Sequence, residues 1–288
     1  MIYLFLSIIC SVSVGILLKI AKKHNNFAFF QMIGWNYLFA AVFCYAVYPP
    51  EISLSANIPY PLFFSLMILL PTIFLVQANS VKYTGIVRTD IAQRLSLIIS
   101  LSAAYFVFKE NFSLLKFLGL FIGLISIFLI LSKGETDDEI SRRWYLPFTV
   151  LAGFGVIDVL FKKVALFTAI QYTTSLFLVF SGAFMVSVFI ILFQIVFQKQ
   201  KLSLKNLYWG AGLGVLNFGN ILFYLKAHQI LKENPSTVFA CMNFGVIIFG
   251  SLTGIVFFKE KMSKINYLGL LLAIAAVVVI TIAQNFAS

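Results

Sequence analysis

The chain has 288 residues, of which 61% are hydrophobic, 11% are charged and 33 are phenylalanine. That charged share is under half of what a soluble domain carries, so the surface of a soluble fold this size could not be covered. The formal net charge of +11 does not point to nucleic acid, because Lys and Arg gather in short segments between apolar runs, where they anchor and orient membrane helices.

Apolar runs of about 20 residues recur along the chain, the length that crosses roughly 30 Å of hydrocarbon. They are continuous rather than alternating, and lipid cannot hydrogen-bond an open backbone, so they are expected to be helices. In chain order the spans fall near 2–21, 28–48, 60–79, 85–108, 113–132, 145–164, 172–197, 207–228, 236–257 and 264–286. The first run has no basic residue ahead of it and no small-residue cleavage site, which marks a retained helix rather than a signal peptide. Short connectors carry the punctuation: Lys22, Lys23, His24, Asn25 and Asn26, then Pro49-Pro50, then 199–205, then Asn234-Pro235. The longest polar stretch, 133–143, holds Glu135, Asp137, Asp138, Glu139, Arg142 and Arg143. It lies mid-chain, where a linker belongs. The expected fold is all-α, a polytopic membrane protein with one five-helix unit at 1–132, a polar linker at 133–144 and a second unit at 145–288. Cys10, Cys44 and Cys241 sit inside apolar runs with no metal-ligand spacing, so no metal and no cofactor are expected.

An internal repeat carries the architecture. Phe108-Lys-Glu-Asn-Phe-Ser-Leu-Leu-Lys-Phe-Leu-Gly-Leu120 aligns without gaps to Phe258-Lys-Glu-Lys-Met-Ser-Lys-Ile-Asn-Tyr-Leu-Gly-Leu270, with seven of thirteen positions identical at an offset of 150. Ser113 and Ser263 are placed to cap the helices that follow, while Phe112 with Phe117 and Met262 with Tyr267 stand at hydrophobic-staple positions. Small residues repeat at the same offset: Gly119 and Gly123 become Gly269 and Ala273, while Ser100 and Ala104 become Gly250 and Gly254. Such faces let helices approach closely in lipid. Five spans separate equivalent elements, and five is odd. Equivalent helices therefore cross in opposite directions, which predicts two inverted five-helix repeats and a carrier that works by alternating access.

With these residues in view the chain resembles the EamA-type ten-span branch of the drug/metabolite transporter superfamily, over essentially its whole length. The doubled Phe-Lys-Glu…Ser…Leu-Gly turns and Asn234-Pro-Ser-Thr237 at the ninth span carry the resemblance. It implies a substrate path between the halves, with the third, fourth, eighth and ninth spans around a central cavity. It also implies small organic solutes, often amino acids or other metabolites leaving the cell across the bacterial inner membrane. One departure is Gln31, where relatives commonly open the second span with Arg.

Orientation is contested. With a cytoplasmic N-terminus, the cytoplasmic loops hold Lys109, Lys116, Lys162, Lys163, Lys226 and Lys232, while the opposite side holds fourteen basic residues, Lys19 and Lys264 among them. The positive-inside rule then places both termini outside, whereas the resemblance implies both inside.

Ionisable and amide groups within spans are costly, so each is a candidate. In the fourth span Asp90, Gln93 and Arg94 share a face; the Asp–Arg spacing fits either a self-neutralising pair or an Arg that binds an anionic substrate. Asn243 stands at the repeat offset from Gln93. Asn217, Asn220, Tyr224 and His228 draw a polar stripe down the eighth span, for cavity lining or interhelical bonding. Gln77, Asn79, Trp35 and Asn36 are weaker candidates, with packing the better role for Trp35. In the sixth span Asp158 is a candidate for proton coupling or for plain ion pairing, and Lys162 is expected to snorkel to an interface. Pro71, mid-span in the third helix, is expected to kink it; with Gly210, Gly212, Gly214 and Gly219 of the eighth span it could provide gating hinges, while tight packing explains the glycines equally well. The leading reading is a secondary carrier for a small solute, sufficient as a monomer in the bilayer. No phosphate loop, HExxH or G-x-S-x-G occurs, which weighs against an ATP-driven pump and an intramembrane enzyme. Short loops weigh against a receptor or assembly subunit.

Overall fold

The structure, a computed structural model, describes residues 1–21, 29–51, 59–131, 143–199, 201–259 and 262–286. The loop at 22–26, the linker residues 133–142, and Glu260 and Lys261 of the second turn lie outside the described residues. Every regular element among the described residues is an α-helix: α1 Ile2–Ala21, α2 Phe29–Val47, α3 Tyr60–Thr84, α4 Ile86–Leu95, α5 Leu97–Phe106, α6 Leu114–Leu131, α7 Tyr145–Leu166, α8 Tyr172–Gln198, α9 Leu204–Ile230, α10 Pro235–Phe258 and α11 Lys264–Phe286. By length and composition α1, α2, α3, α8, α10 and α11 are each long and apolar enough to cross a membrane. The chain folds as an all-α, multi-pass membrane protein.

Helix positions follow the apolar runs with one correction. The fourth span, expected as one helix, is divided at Ser96 into α4 and α5. The Ser96 hydroxyl donates to the Gln93 carbonyl at 2.6 Å, while its backbone stays in the right-handed helical region and its N–H still reaches the Ala92 carbonyl. Pro71 does not divide its helix, since α3 continues to Thr84. Gly85 then turns the chain into α4 at φ +88°, a conformation that favours glycine.

The repeated turns take the same form. Lys109 and Lys259 both adopt left-handed φ, at 55° and 52°. Ser113 accepts the Lys116 N–H at 3.2 Å, and Ser263 accepts the Asn266 N–H at 3.2 Å, as the capping pattern requires. The staple is not the second fastening: Phe117 and Tyr267 are exposed, and Phe112 meets the ring of Tyr105 instead.

Packing exchanges the halves. α6 pairs with α11 and α2 with α8; α2 packs on α9 as α8 packs on α3, and α1 packs on α9 as α7 packs on α3. Two glycines fix the relative direction. A Cβ added at Gly119, near the start of α6, would stand 2.8 Å from Ile280, near the end of α11. One added at Gly269, near the start of α11, would stand 2.8 Å from Ile130, at the end of α6. Both partners obey the 150-residue offset, so α6 and α11 run antiparallel and swap roles under a pseudo-two-fold operation. Elsewhere the small faces differ in use. Gly210 and Gly214 seat α9 against the α2 backbone at Trp35, Asn36 and Ala40, which makes them, with Trp35, packing residues. Gly250 meets nothing within 4 Å and, with Gly254, faces a cavity.

Candidate functional site

A cavity of about 440 Å³ lies between α1, α3 and α4 of the first half and α7, α9 and α10 of the second. Its mouth is marked by Lys19 near the end of α1 and Phe258 at the end of α10, where the Lys19 ammonium stands 3.8 Å over the Phe258 ring. Six residues singled out from sequence line it: Gln77, Asp90, Gln93, Arg94, Asn217 and Asn220. They converge because α4 presents Asp90, Gln93 and Arg94 on one face, one or two turns past Gly85, towards the polar stripe of α9.

The polar groups are fastened to different degrees. Gln77 donates from Nε2 to Gln93 Oε1 at 2.7 Å, joining α3 to α4. Asn220 accepts from the Ser7 hydroxyl at both its side-chain and backbone oxygens, at 2.8 and 2.9 Å, so it lines the cavity and ties α9 to α1 at once. The Arg94 Nε lies 4.0 Å from Asp90 Oδ1, beyond hydrogen-bond reach, and that buried Nε has no hydrogen-bond partner. Asp90 is the more exposed of the two, at 43% against 19%. The internal pair is therefore loose and leaves directed donor capacity on the guanidinium. Phe74 and Phe154, whose rings meet edge-on with centroids 6.3 Å apart, supply an apolar wall.

One helical turn deeper, Asp158 accepts from Ser100 Oγ at 2.9 Å and from Tyr224 OH at 3.1 Å. This trio links α5 to α7 and α9 beneath the cavity. Asn243 does not face the cavity; its amide donates to the Phe239 carbonyl one turn back on its own helix. Lys162 neither snorkels nor pairs with Asp158. It is fully buried, and its ammonium donates to the carbonyls of Lys232 at 2.8 Å and His228 at 3.4 Å, where a cation suits the carbonyl end of α9. His228, the last member of the stripe, is buried between the rings of Tyr224 and Phe239.

Beyond them the bundle is closed by groups the sequence reading treated only as a turn and loop charges. Glu110 and Lys116 form a buried ion pair. Glu110 also accepts from the Ser236 N–H at 2.8 Å and the Ser236 hydroxyl at 2.7 Å, while Lys116 donates to Asn234 Oδ1 at 2.8 Å. The turn of the first half thus caps the N-terminus of α10 in the second, through the Asn-Pro-Ser motif. Gln31 lies outside the cavity too. It is buried, donates to the Lys201 carbonyl at 2.9 Å and accepts from the Ser203 N–H and Asn206 amide at 3.0 Å each, fastening the start of α2 to the start of α9.

A model of the EamA-like transporter family matches the chain twice, over residues 1–132 and 142–282. An uncharacterized protein of Haemophilus influenzae is 40% identical over 285 residues, covering 95% of each chain. A protein of known crystal structure shares the fold across 100% of this chain and 98% of its own, at a TM-score of 0.76 and 12% identity.

Proposed function

Since this chain belongs to the EamA-like transporter family, we propose that it is a secondary carrier for a small organic solute with an anionic group, an amino acid or related metabolite. The observation that supports this most is Arg94, a cavity-facing guanidinium whose buried Nε has no partner and whose acidic neighbour stands 4.0 Å away. A substrate carboxylate would complete its donor fork. Asp90 is close enough to receive an ammonium on the same solute, and Gln77, Gln93, Asn217 and Asn220 offer neutral hydrogen bonds. Phe74 and Phe154 would hold the apolar remainder.

Transport requires the closed end to open as the mouth shuts. In that exchange the Glu110–Lys116 pair separates from Asn234 and Ser236, and the Asp158 trio becomes the floor of an opposite-facing cavity. Asp158 would couple a proton by trading its two donated bonds for a proton of its own. The mouth side carries Lys19, Lys82, Lys199, Lys201, Lys205, Lys259 and Lys264, against Lys109, Lys163, Lys226 and Lys232 on the other side, where Lys116 and Lys162 are buried rather than in loops. The positive-inside rule then sets the mouth in the cytoplasm of a bacterial inner membrane, which suits loading for export. A single reporter cysteine at Leu202, beside the mouth, should resist membrane-impermeant maleimide in intact cells; ready labelling would reverse the orientation. Exchange in sealed vesicles, screened over amino acids and small carboxylates, tests the function. Arg94→Gln should lower exchange about tenfold to a hundredfold, the worth of one hydrogen bond to a charge. Full exchange by that variant would sink the assignment.

A further inference from the structure

A second hollow, of about 770 Å³, lies on the flank of the bundle, bounded by the first residues of α2, the last turns of α3 and the last turns of α8. It shares no residue with the polar cavity. Its lining is graded along the helix axes. On α3 the order from the end inward is Lys82, Asn79, Leu75; on α8 it is Gln194, Ile190, Phe189. At 1.5 Å per residue, Asn79 lies about 4.5 Å and Leu75 about 10 Å below Lys82. With Lys82 at headgroup height, this grading would set the amides at the level of a lipid glycerol and the apolar wall at acyl depth. The hollow opens sideways, since Phe189 is 74% exposed.

Gln194 supplies the second observation. Its side chain is 6% exposed, yet its Oε1 is buried and has no hydrogen-bond partner. A buried acceptor left unmade costs about 1–3 kcal/mol, and a phosphate, itself an acceptor, cannot satisfy it. A hydroxyl can. Arg143 is stacked 3.9 Å over the ring of Tyr83, the residue next to Lys82.

We propose that this groove binds one anionic phospholipid whose headgroup carries hydroxyls, with its phosphate on Lys82, a hydroxyl donating to Gln194 Oε1 and one acyl chain along Leu75, Phe189 and Ile190. Basic pockets between membrane helices recognise anionic headgroups in this way. The lipid would fill the gap that α2 and α3 leave over α8, independently of the solute path.

The test is native mass spectrometry of the full chain in mild detergent. It is titrated with phosphatidylglycerol, with phosphatidylcholine of the same acyl chains, and with soluble glycerol 3-phosphate. One saturable equivalent of phosphatidylglycerol is expected, at least about fivefold tighter than phosphatidylcholine, the worth of one lysine at a membrane surface, with the Gln194 contact adding to it. Lys82→Gln should lower that preference about fivefold and leave the part due to Gln194. Gln194→Leu, which keeps the volume and removes the acceptor, should weaken phosphatidylglycerol alone, and Leu75→Trp should reduce both lipids by filling the groove. Equal binding of the two lipids, or an undiminished preference in Lys82→Gln, overturns the proposal. Displacement of lipid by glycerol 3-phosphate at equal concentration overturns it in favour of a free-phosphate site, and dimer formation at the expense of bound lipid overturns it in favour of a second copy.

Discussion

The two ends of the bundle use the same kinds of side chain to opposite effect. At the closed end Glu110, Lys116 and Lys162 are buried, and each has its charge met by donors or acceptors of fixed position: Ser236, Asn234 and the last carbonyls of α9. At the mouth Asp90 and Arg94 are also an acid and a base on neighbouring turns, yet they stand at 4.0 Å and leave a buried donor unmet. The contrast holds for the charged groups and not for every polar atom, since both His228 ring nitrogens and the Thr237 hydroxyl at the closed end are buried without hydrogen bonds. Charges with fixed partners make a seal, and a charge with an unmet donor beside a cavity makes a place for something else to bind.

Breaking the seal should have the largest effect. Glu110→Ala would leave the buried Lys116 ammonium with only the neutral Asn234 Oδ1 and the Ser236 N–H with no partner, and removing one member of a buried pair costs about 3–5 kcal/mol. Thermal melting in detergent should fall sharply. The paired Glu110→Gln, Lys116→Met variant should recover much of that stability, because a buried pair exchanged for neutral groups is often near neutral. At the mouth the same kind of change should leave melting intact and act on transport. Arg94→Lys keeps the charge without the planar fork, so exchange should return only in part. A double Asp90→Asn, Arg94→Gln variant that transports like the parent would reduce the pair to mutual neutralisation.

Smaller effects test the symmetry and the floor. Gly119→Ala and Gly269→Ala each place a Cβ 2.8 Å from an isoleucine, and overpacking of this kind costs about 1–3 kcal/mol. Gly269→Ala should cost more, because its Cβ would also stand 2.8 Å from the Ile130 backbone nitrogen, whereas at Gly119 the corresponding Ile280 nitrogen is 3.3 Å away; equal losses would deny that backbone contact its role. Asp158→Asn should leave stability almost unchanged, since the amide oxygen still accepts one of the two donated bonds. Accumulation driven by a pH gradient should disappear while exchange continues; persistence of the pH-driven phase removes Asp158 from coupling.

Much of this was legible in the chain, and the physical reasons for the gaps are specific. Apolar runs and the repeated turn determine where helices start because hydropathy, capping and αL positions are local properties. Gln93 and Arg94 on one helix face, and Asn217 with Asn220 on another, could be assigned inward because lipid rejects them. Glu110 escaped notice because its partner Ser236 lies 126 residues away, and only the packing of α5 and α6 against α10 joins them. Lys162 looked like an interfacial lysine because sequence does not reveal that two carbonyls wait for it at the end of α9. The break at Ser96 interrupts the helix at a single residue, a local departure that no periodicity records.

The antiparallel seam of α6 and α11 has a further consequence for energetics. Gly119 on Ile280 and Gly269 on Ile130 are the same contact met twice, so tilting one way compresses what tilting the other way relaxes. Such an axle is close to symmetric without being equal, since a Cβ at Gly269 would stand 2.8 Å from the Ile130 backbone nitrogen and one at Gly119 would stand 3.3 Å from that of Ile280. The resting posture must then be set where the halves have diverged, as at position 116, a lysine in the buried ion pair, against position 266, an asparagine spent on the carbonyls of Leu129 and Ile130. Under the proposed alternating-access mechanism, differences between the two copies would act as a thermostat on the conformational equilibrium, and a few substitutions at one turn would reset which face of the membrane the empty carrier greets.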